Sequence, residues 1–192
     1  MATEAEKIAF FEKYKDWAIL TQGRSSVPAS ITLSQAALES GYGTSRLARE
    51  ANSFFGIKKP GCPKWYGEII LANDDKPNEE FRKYKTIYDS FIDHADWLEC
   101  NKRYDSLFEN TNYIDWSNGL QEAGYATDKT YASLLIGIIE KYGLQKYDIE
   151  GDIQMQTLPN TIIRNRKKLT AITIAIIILL VALYFVGKKI FK

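Results

Sequence analysis

ITLSQAALESGYGTSRLAREANSFFGIK, residues 31–58, is the segment around which the rest of this 192-residue chain is organised. It opens as a helix in which Ile31, Leu33, Ala36, Ala37 and Leu38 cover most of the circumference, the pattern of a buried helix. One narrow strip stays polar: Glu39 lies one turn beyond Gln35 and two turns beyond Thr32, so the three share a face. A carboxylate at the end of a largely apolar helix is poorly solvated, which raises its pKa and favours the protonated form. Gly41 and Gly43 follow, where a left-handed helix cap and close backbone approach are expected. A short turn then leads to a second helical piece, closed by Phe54, Phe55 and Gly56. A poised acid, a glycine corner and an aromatic-lined loop together describe a cleft for an extended substrate. The plainer alternative is a surface Glu near a helix end, which pattern alone does not separate from a catalytic acid.

Outward from this stretch, residues 4–22 read as an amphipathic helix and residues 23–26 as a loop. Ser26 is the expected N-cap of the Glu39 helix, with Pro28 in its first turn. Residues 59–85 change character, with turn-forming Pro and Gly, a β-prone run from Trp65 to Leu71, a polar turn from Asn73 to Asn78 and a second short strand from Phe81 to Tyr84. This predicts a β-hairpin beside the cleft. Helical patterns resume over Ser90–Cys100, Tyr104–Phe108, Ile114–Gln121 and Tyr131–Tyr142. Residues 147–163 show no clear periodicity and read as a linker. Cys62 and Cys100 are compatible with one disulfide or with two thiols.

The formal net charge of +1 hides an asymmetry. Residues 161–192 carry seven Lys or Arg and no Asp or Glu, which leaves 18 basic against 24 acidic residues before them, a net of −6. An acidic globular part argues against a nucleic-acid partner. From Leu169 to Val186 run eighteen uncharged residues, LTAITIAIIILLVALYFV. As a helix they span roughly 27 Å, close to the thickness of a bilayer core. Arg164, Arg166, Lys167 and Lys168 precede them, and Lys188, Lys189 and Lys192 follow. The expectation is a single transmembrane helix over residues 169–187, reached by a basic linker at 147–168 and followed by a short basic tail at 188–192. Basic residues on both flanks do not orient it. The N-terminal MATEAEKIAFFEKYKDW shows no secretory signal.

The chain has one histidine and two distant cysteines, too few for a recognisable zinc site, and it has no phosphate loop, no dinucleotide fingerprint and no G-x-S-x-G. No cofactor is expected. What remains is carboxylate chemistry. The segments S-Q-A-A-L-E-S-G-Y-G and N-S-F-F-G-I-K, then F-R-K-Y at 81–84, D-S-F at 89–91 with Asp93-His94, and A-G-Y-A-T-D at 123–128 with Tyr131-Ala132, occur in that order. This set resembles glycoside hydrolase family 73, the bacterial and phage glucosaminidases that cut peptidoglycan. The resemblance spans roughly residues 4 to 146.

The resemblance implies a lysozyme-like α+β domain over residues 1–146, mainly helical with a small β-hairpin lobe. It implies glycosidic cleavage of peptidoglycan strands, with Glu39 as general acid. In the family the hairpin can carry a second carboxylate; Asp74, Asp75 and Glu79 are all candidates, with Glu68 a weaker fourth. Tyr125 resembles the family's cleft tyrosine. Gln35, Tyr42, Asn52 and Phe55 are expected to contact sugars, since aromatic faces suit pyranose rings. His94 is expected to be a structural hydrogen-bonding residue. Muramidase or lytic transglycosylase chemistry on the same fold is the enzymatic alternative, and a non-catalytic wall-binding membrane protein is the alternative outside catalysis. A C-terminal anchor without a signal points to a phage virion membrane, or else to a bacterial cell envelope.

Overall fold

The computed structural model describes residues 2–74, 76–110 and 112–157. The chain divides into two units, Met1–Asp152 and Ile153–Lys192. The first contains helices α1 (Glu4–Ser25), α2 (Ala29–Ser40) and α3 (Arg46–Ala51), strands β1 (Ile69–Ala72) and β2 (Glu79–Arg82), helix α4 (Ile87–Cys100), a 3₁₀ helix (Lys102–Glu109), helices α5 (Tyr113–Glu122) and α6 (Tyr131–Tyr142), and the start of α7 (Lys146–Thr157). This is the lysozyme-like arrangement expected, a helical body beside a small two-stranded antiparallel sheet.

At its centre is α2, which packs against α1, α5 and α6. Every residue from Ala29 to Ala37 is buried. Alanine and serine at four of the eight positions of SITLSQAA let the neighbouring helices approach closely, and each buried serine returns its hydroxyl to a backbone carbonyl or a carboxylate: Ser34 to Ile31 and Ser30 to Asp148. Ser26 does not cap this helix. It sits in the left-handed conformation that ends α1, its N–H bonded to the Gln22 carbonyl, and α2 starts after Pro28 with no side-chain cap. True capping boxes close α1, through Thr3 and Glu6, and α4, through Thr86 and Asp89.

The hairpin pairs Ile69 with Arg82 and Ala72 with Glu79. Its first strand starts at Ile69 rather than Trp65, and the Trp65 indole folds back to donate to the Glu68 carbonyl. A two-stranded hairpin is marginal in water by itself, and here backbone bonds to residues 57–59 and the buried side chain of Arg82 fasten it. Arg82 is fully buried. Its guanidinium donates to both carboxylate oxygens of Asp93 on α4 at 2.8 and 2.9 Å and to the Pro63 carbonyl at 2.7 Å. The Tyr84 hydroxyl donates to the same carboxylate at 2.6 Å. Cys62 and Cys100 form a disulfide that ties the adjoining loop to the end of α4.

Two further expectations change. His94 is fully buried, but neither ring nitrogen has a hydrogen-bond partner among the described residues; the ring stacks on Phe55 at 3.9 Å and 10°. Burial pushes it down to about 3, so it packs as a neutral aromatic ring. Tyr147 opens no irregular linker. From Lys146 the chain is helical, and it docks through polar contacts: Asp148 accepts from the Ser30 N–H and hydroxyl at 2.7 Å each, Gln22 donates to Asp152 at 2.8 Å, and the Tyr147 hydroxyl donates to Glu12 at 2.9 Å. No helix among the described residues is long and apolar enough to cross a membrane. The expected span at 169–187 lies outside the described residues.

Arg82→Met leaves the Asp93 carboxylate buried without its partner and is expected to cost about 3–5 kcal/mol in chemical denaturation. The double change Arg82→Met with Asp93→Leu is expected to cost clearly less, since it removes both charges. A second prediction concerns pH. Burial raises Asp148 to about 6 from 3.8. A proton is therefore held more tightly in the fold than in the unfolded chain, so this group's contribution is full below pH 3.8 and is lost as pH rises through about 6, up to about 3 kcal/mol. Asp148→Asn is expected to flatten that part of the stability–pH curve, as read by denaturation between pH 4 and 7.

Candidate active site

The end of α2 delivers Glu39 to a cavity of about 330 Å³. Gly41, with φ +57°, terminates the helix, and an added Cβ there would lie 3.3 Å from the Thr44 hydroxyl. The corner therefore turns sharply just after the carboxyl. Opposite wall positions come from the segment after α3 (Phe55, Gly56, Ile57, Lys58, Pro60), from the hairpin turn (Asp74), and from Trp97, Arg103 and Tyr125.

Burial raises the Glu39 pKa, opposed by one hydrogen bond, in which the Tyr131 hydroxyl donates to Oε1 at 2.9 Å. Tyr131 belongs to α6 and is itself positioned from behind, its oxygen accepting from Gln35 Nε2 at 2.9 Å. Since that oxygen already accepts from Gln35, its single proton is directed to Glu39. Tyr125 stacks on Tyr131 with ring centroids 5.3 Å apart and packs edge-on against Trp97. Burial, and then the neighbouring Glu39 charge, push the Tyr125 phenol well above its ordinary pKa, so it stays protonated and can donate.

The other expected residues divide. Glu39, Tyr125, Asp74 and Phe55 are brought together around this cavity. Asp74 is paired with Lys58 at 3.0 Å. Asp75 lies outside the described residues. Glu79 sits at the start of β2, bonded to Lys58 at 2.9 Å and to the Lys76 N–H, and does not line the cavity. Glu68 pairs with Lys83 in a separate cavity.

The structure places three of the expected sugar contacts elsewhere. Gln35 is completely buried behind Tyr131, so its role is to orient that hydroxyl. Tyr42, at φ +57°, turns its ring onto Phe10 and Phe11 of α1. Asn52, also left-handed, donates to the Tyr84 and Lys85 carbonyls and lines the cavity that holds Trp65 and Glu68.

Sequence reasoning missed Tyr131, Lys58, Trp97 and Arg103 as site residues. Tyr131 had a signal, since it falls within the 123–132 motif. The others become visible only when the chain folds back.

Tyr131→Phe removes the one donor that favours ionised Glu39. The Glu39 pKa is expected to rise further, moving the alkaline limb of a pH–rate profile to higher pH. Gln35→Leu, which frees the Tyr131 oxygen, is expected to lower kcat with little change in that limb. Both are checked by kcat/KM measured across pH.

Residues 15–144 match the glucosaminidase family, described as mannosyl-glycoprotein endo-beta-N-acetylglucosaminidase. The exo-glucosaminidase LytG of Bacillus subtilis is 34% identical over 158 residues, 74% of this chain and 54% of the relative. The peptidoglycan hydrolase FlgJ of Escherichia coli K12 is 32% identical over 145 residues, 69% of this chain and 46% of the relative. The chain thus spans about half the length of these relatives. Among solved structures, the catalytic domain of the autolysin Auto from Listeria monocytogenes superposes with a TM-score of 0.61 at 31% identity, covering 77% of this chain and 90% of that one. The glycoside hydrolase domain of Salmonella typhimurium FlgJ gives 0.62 at 28% identity, covering 78% of this chain and 96% of that one. By sequence and by fold, the chain belongs to the glucosaminidase family.

Proposed function

We propose that this protein is a peptidoglycan hydrolase that cleaves β-1,4 glycosidic bonds as an endo-β-N-acetylglucosaminidase. The observation that carries the reading is the Glu39 carboxyl, desolvated at the wall of an open cavity and held by a single donor from Tyr131. A carboxyl whose pKa is raised by its surroundings is suited to protonate a glycosidic oxygen as the bond breaks toward an oxocarbenium-like transition state. Protonation also predicts the pH dependence: activity is present below the Glu39 pKa and is lost as pH rises through it.

Two routes serve the other face of the sugar. Asp74 lines the same cavity and, ion-paired with Lys58, is suited to activate water. Alternatively the substrate's own N-acetyl group attacks, with the protonated Tyr125 donating to it. Asp74→Asn separates them: a loss comparable to that of Glu39→Gln supports the base, and retained turnover supports substrate assistance.

The proposal includes a place of action. The uncharged run at 169–186 with its cationic flanks supports anchoring by one transmembrane helix at 169–187, and a membrane-anchored hydrolase suits a phage lysis or entry enzyme or a bacterial envelope enzyme. Fractionation of purified virions and host membranes tests it, and recovery in the soluble fraction of both would overturn the anchor.

The deciding experiment is digestion of purified peptidoglycan by the full-length protein in detergent, wild type beside Glu39→Gln, with the new reducing ends identified by mass spectrometry. Expected are N-acetylglucosamine ends from wild type and a loss on the order of 10²–10⁴ in rate for the variant. N-acetylmuramic acid or 1,6-anhydro ends would assign muramidase or transglycosylase chemistry instead. No products from folded wild type would move the protein to the wall-binding class.

A further inference from the structure

We propose that Arg103 forms a carboxylate-recognition subsite on the rim of the catalytic cavity, reading an acid group carried by the glycan; this rests on the reading of that cavity as a glycan-cleaving site. Arg103 is the second residue of the 3₁₀ helix that follows α4. Its guanidinium lies 4.6 Å from the Tyr104 ring centroid and 5.6 Å from that of Trp97, and Nη1 donates to the Gly124 carbonyl at 3.1 Å, just before Tyr125. One corner of the fork is thus anchored and its plane braced by two rings. Nε and Nη2 carry no partner among the described residues, and no described carboxylate pairs with Arg103. The side chain is exposed and lines the same cavity as Glu39.

The charge balance of the cavity singles this residue out. Lys58 is matched by Asp74 and Glu79. Burial favours neutral Glu39. Among the described residues the guanidinium is thus the cation of this lining with no carboxylate partner, pre-oriented so that little rotamer entropy is lost when a planar anion docks. A uniformly neutral polysaccharide has no group for it. Wall glycan has one in every second sugar: a lactyl ether whose carboxyl is either free or amide-linked to a peptide that bears carboxylates of its own. Bidentate contact of free guanidinium N–H groups with such a carboxylate is the expected geometry.

The test uses the full-length protein in detergent and three substrates: peptidoglycan, glycan strands stripped of peptide so that the lactyl carboxylates are free, and the same stripped strands methyl-esterified. KM and kcat are measured for wild type and Arg103→Gln. Wild type is expected to show about a tenfold higher KM on esterified strands, the loss of one charge-assisted interaction. Arg103→Gln is expected to raise KM by about the same factor on the acidic substrates, to leave kcat little changed, and to match wild type on the ester. The better of the two acidic substrates identifies the source of the carboxylate. An equal fall on all three substrates would mean that Arg103 only braces the loop before Tyr125, and would overturn the proposal. Equilibrium binding of the same strands to Glu39→Gln, with and without Arg103→Gln, decides it independently of turnover. Carboxylate discrimination that disappears with Arg103 supports the subsite even if the glycosidase reading fails, and discrimination that is absent or survives the change sinks it.

Discussion

The buried pair of Arg82 and Asp93 is the constraint on which the cavity wall depends. The hairpin contributes few side chains to the core, so hydrophobic burial alone does not hold it. Arg82 has no exposed surface, and its planar fork bonds at once to α4 and to the loop that carries Pro60 and Pro63. Tyr84 completes the carboxylate's bonding, and the charge on Asp93 together with burial keeps that phenol protonated. Buried ion pairs are poor sources of net stability because desolvation offsets most of the attraction. Their geometry is exacting, however. Here that fixes where the turn bearing Asp74 stands relative to α4.

Two acids facing one cavity then differ by environment. Glu39 lies near the end of a helix whose residues from Ala29 to Ala37 are all buried, and its one described partner is a neutral hydroxyl. Asp74 sits at a polar turn beside a lysine. Burial favours the neutral form of Glu39, the form that acid-assisted cleavage of a neutral bond requires. The hydrogen bond from Tyr131 acts in the opposite sense to burial on Glu39. Its value lies in holding the carboxyl in one orientation, and Gln35 secures it by occupying the phenol oxygen from behind.

How much of this was readable follows from which interactions are local. The glycine corner after Glu39, the hairpin and the succession of helices depend on near neighbours, and the motifs at 31–58 and 123–132 brought Glu39 and Tyr125 forward together. Gln35 was placed correctly on the face of Glu39. A helical wheel does not say what that face meets, and it meets Tyr131 rather than sugar. Tyr42 and Asn52 have left-handed backbones, and their side chains meet Phe10 and Phe11 and the Tyr84 and Lys85 carbonyls rather than the Glu39 cavity. The first turns of α7 escaped because they dock through Asp148 and Tyr147, polar contacts that leave no apolar stripe to detect. His94 shows the converse: a residue type rich in hydrogen-bonding capacity is used as a flat ring against Phe55.

The loop from Lys59 to Glu68 has almost no regular structure, yet it is braced from two directions. Arg82 holds it at Pro63, and the disulfide holds it at Cys62. The disulfide joins residues 38 apart in sequence, a closure that in the chain-entropy account stabilises by ~4 kcal/mol. Both braces end on α4, at Asp93 and Cys100, and Trp97 lies between them on that helix. The helix that contributes Trp97 to the cavity therefore also anchors the loop that contributes Pro60. Loosening either brace should therefore move the loop that carries Pro60 relative to Trp97.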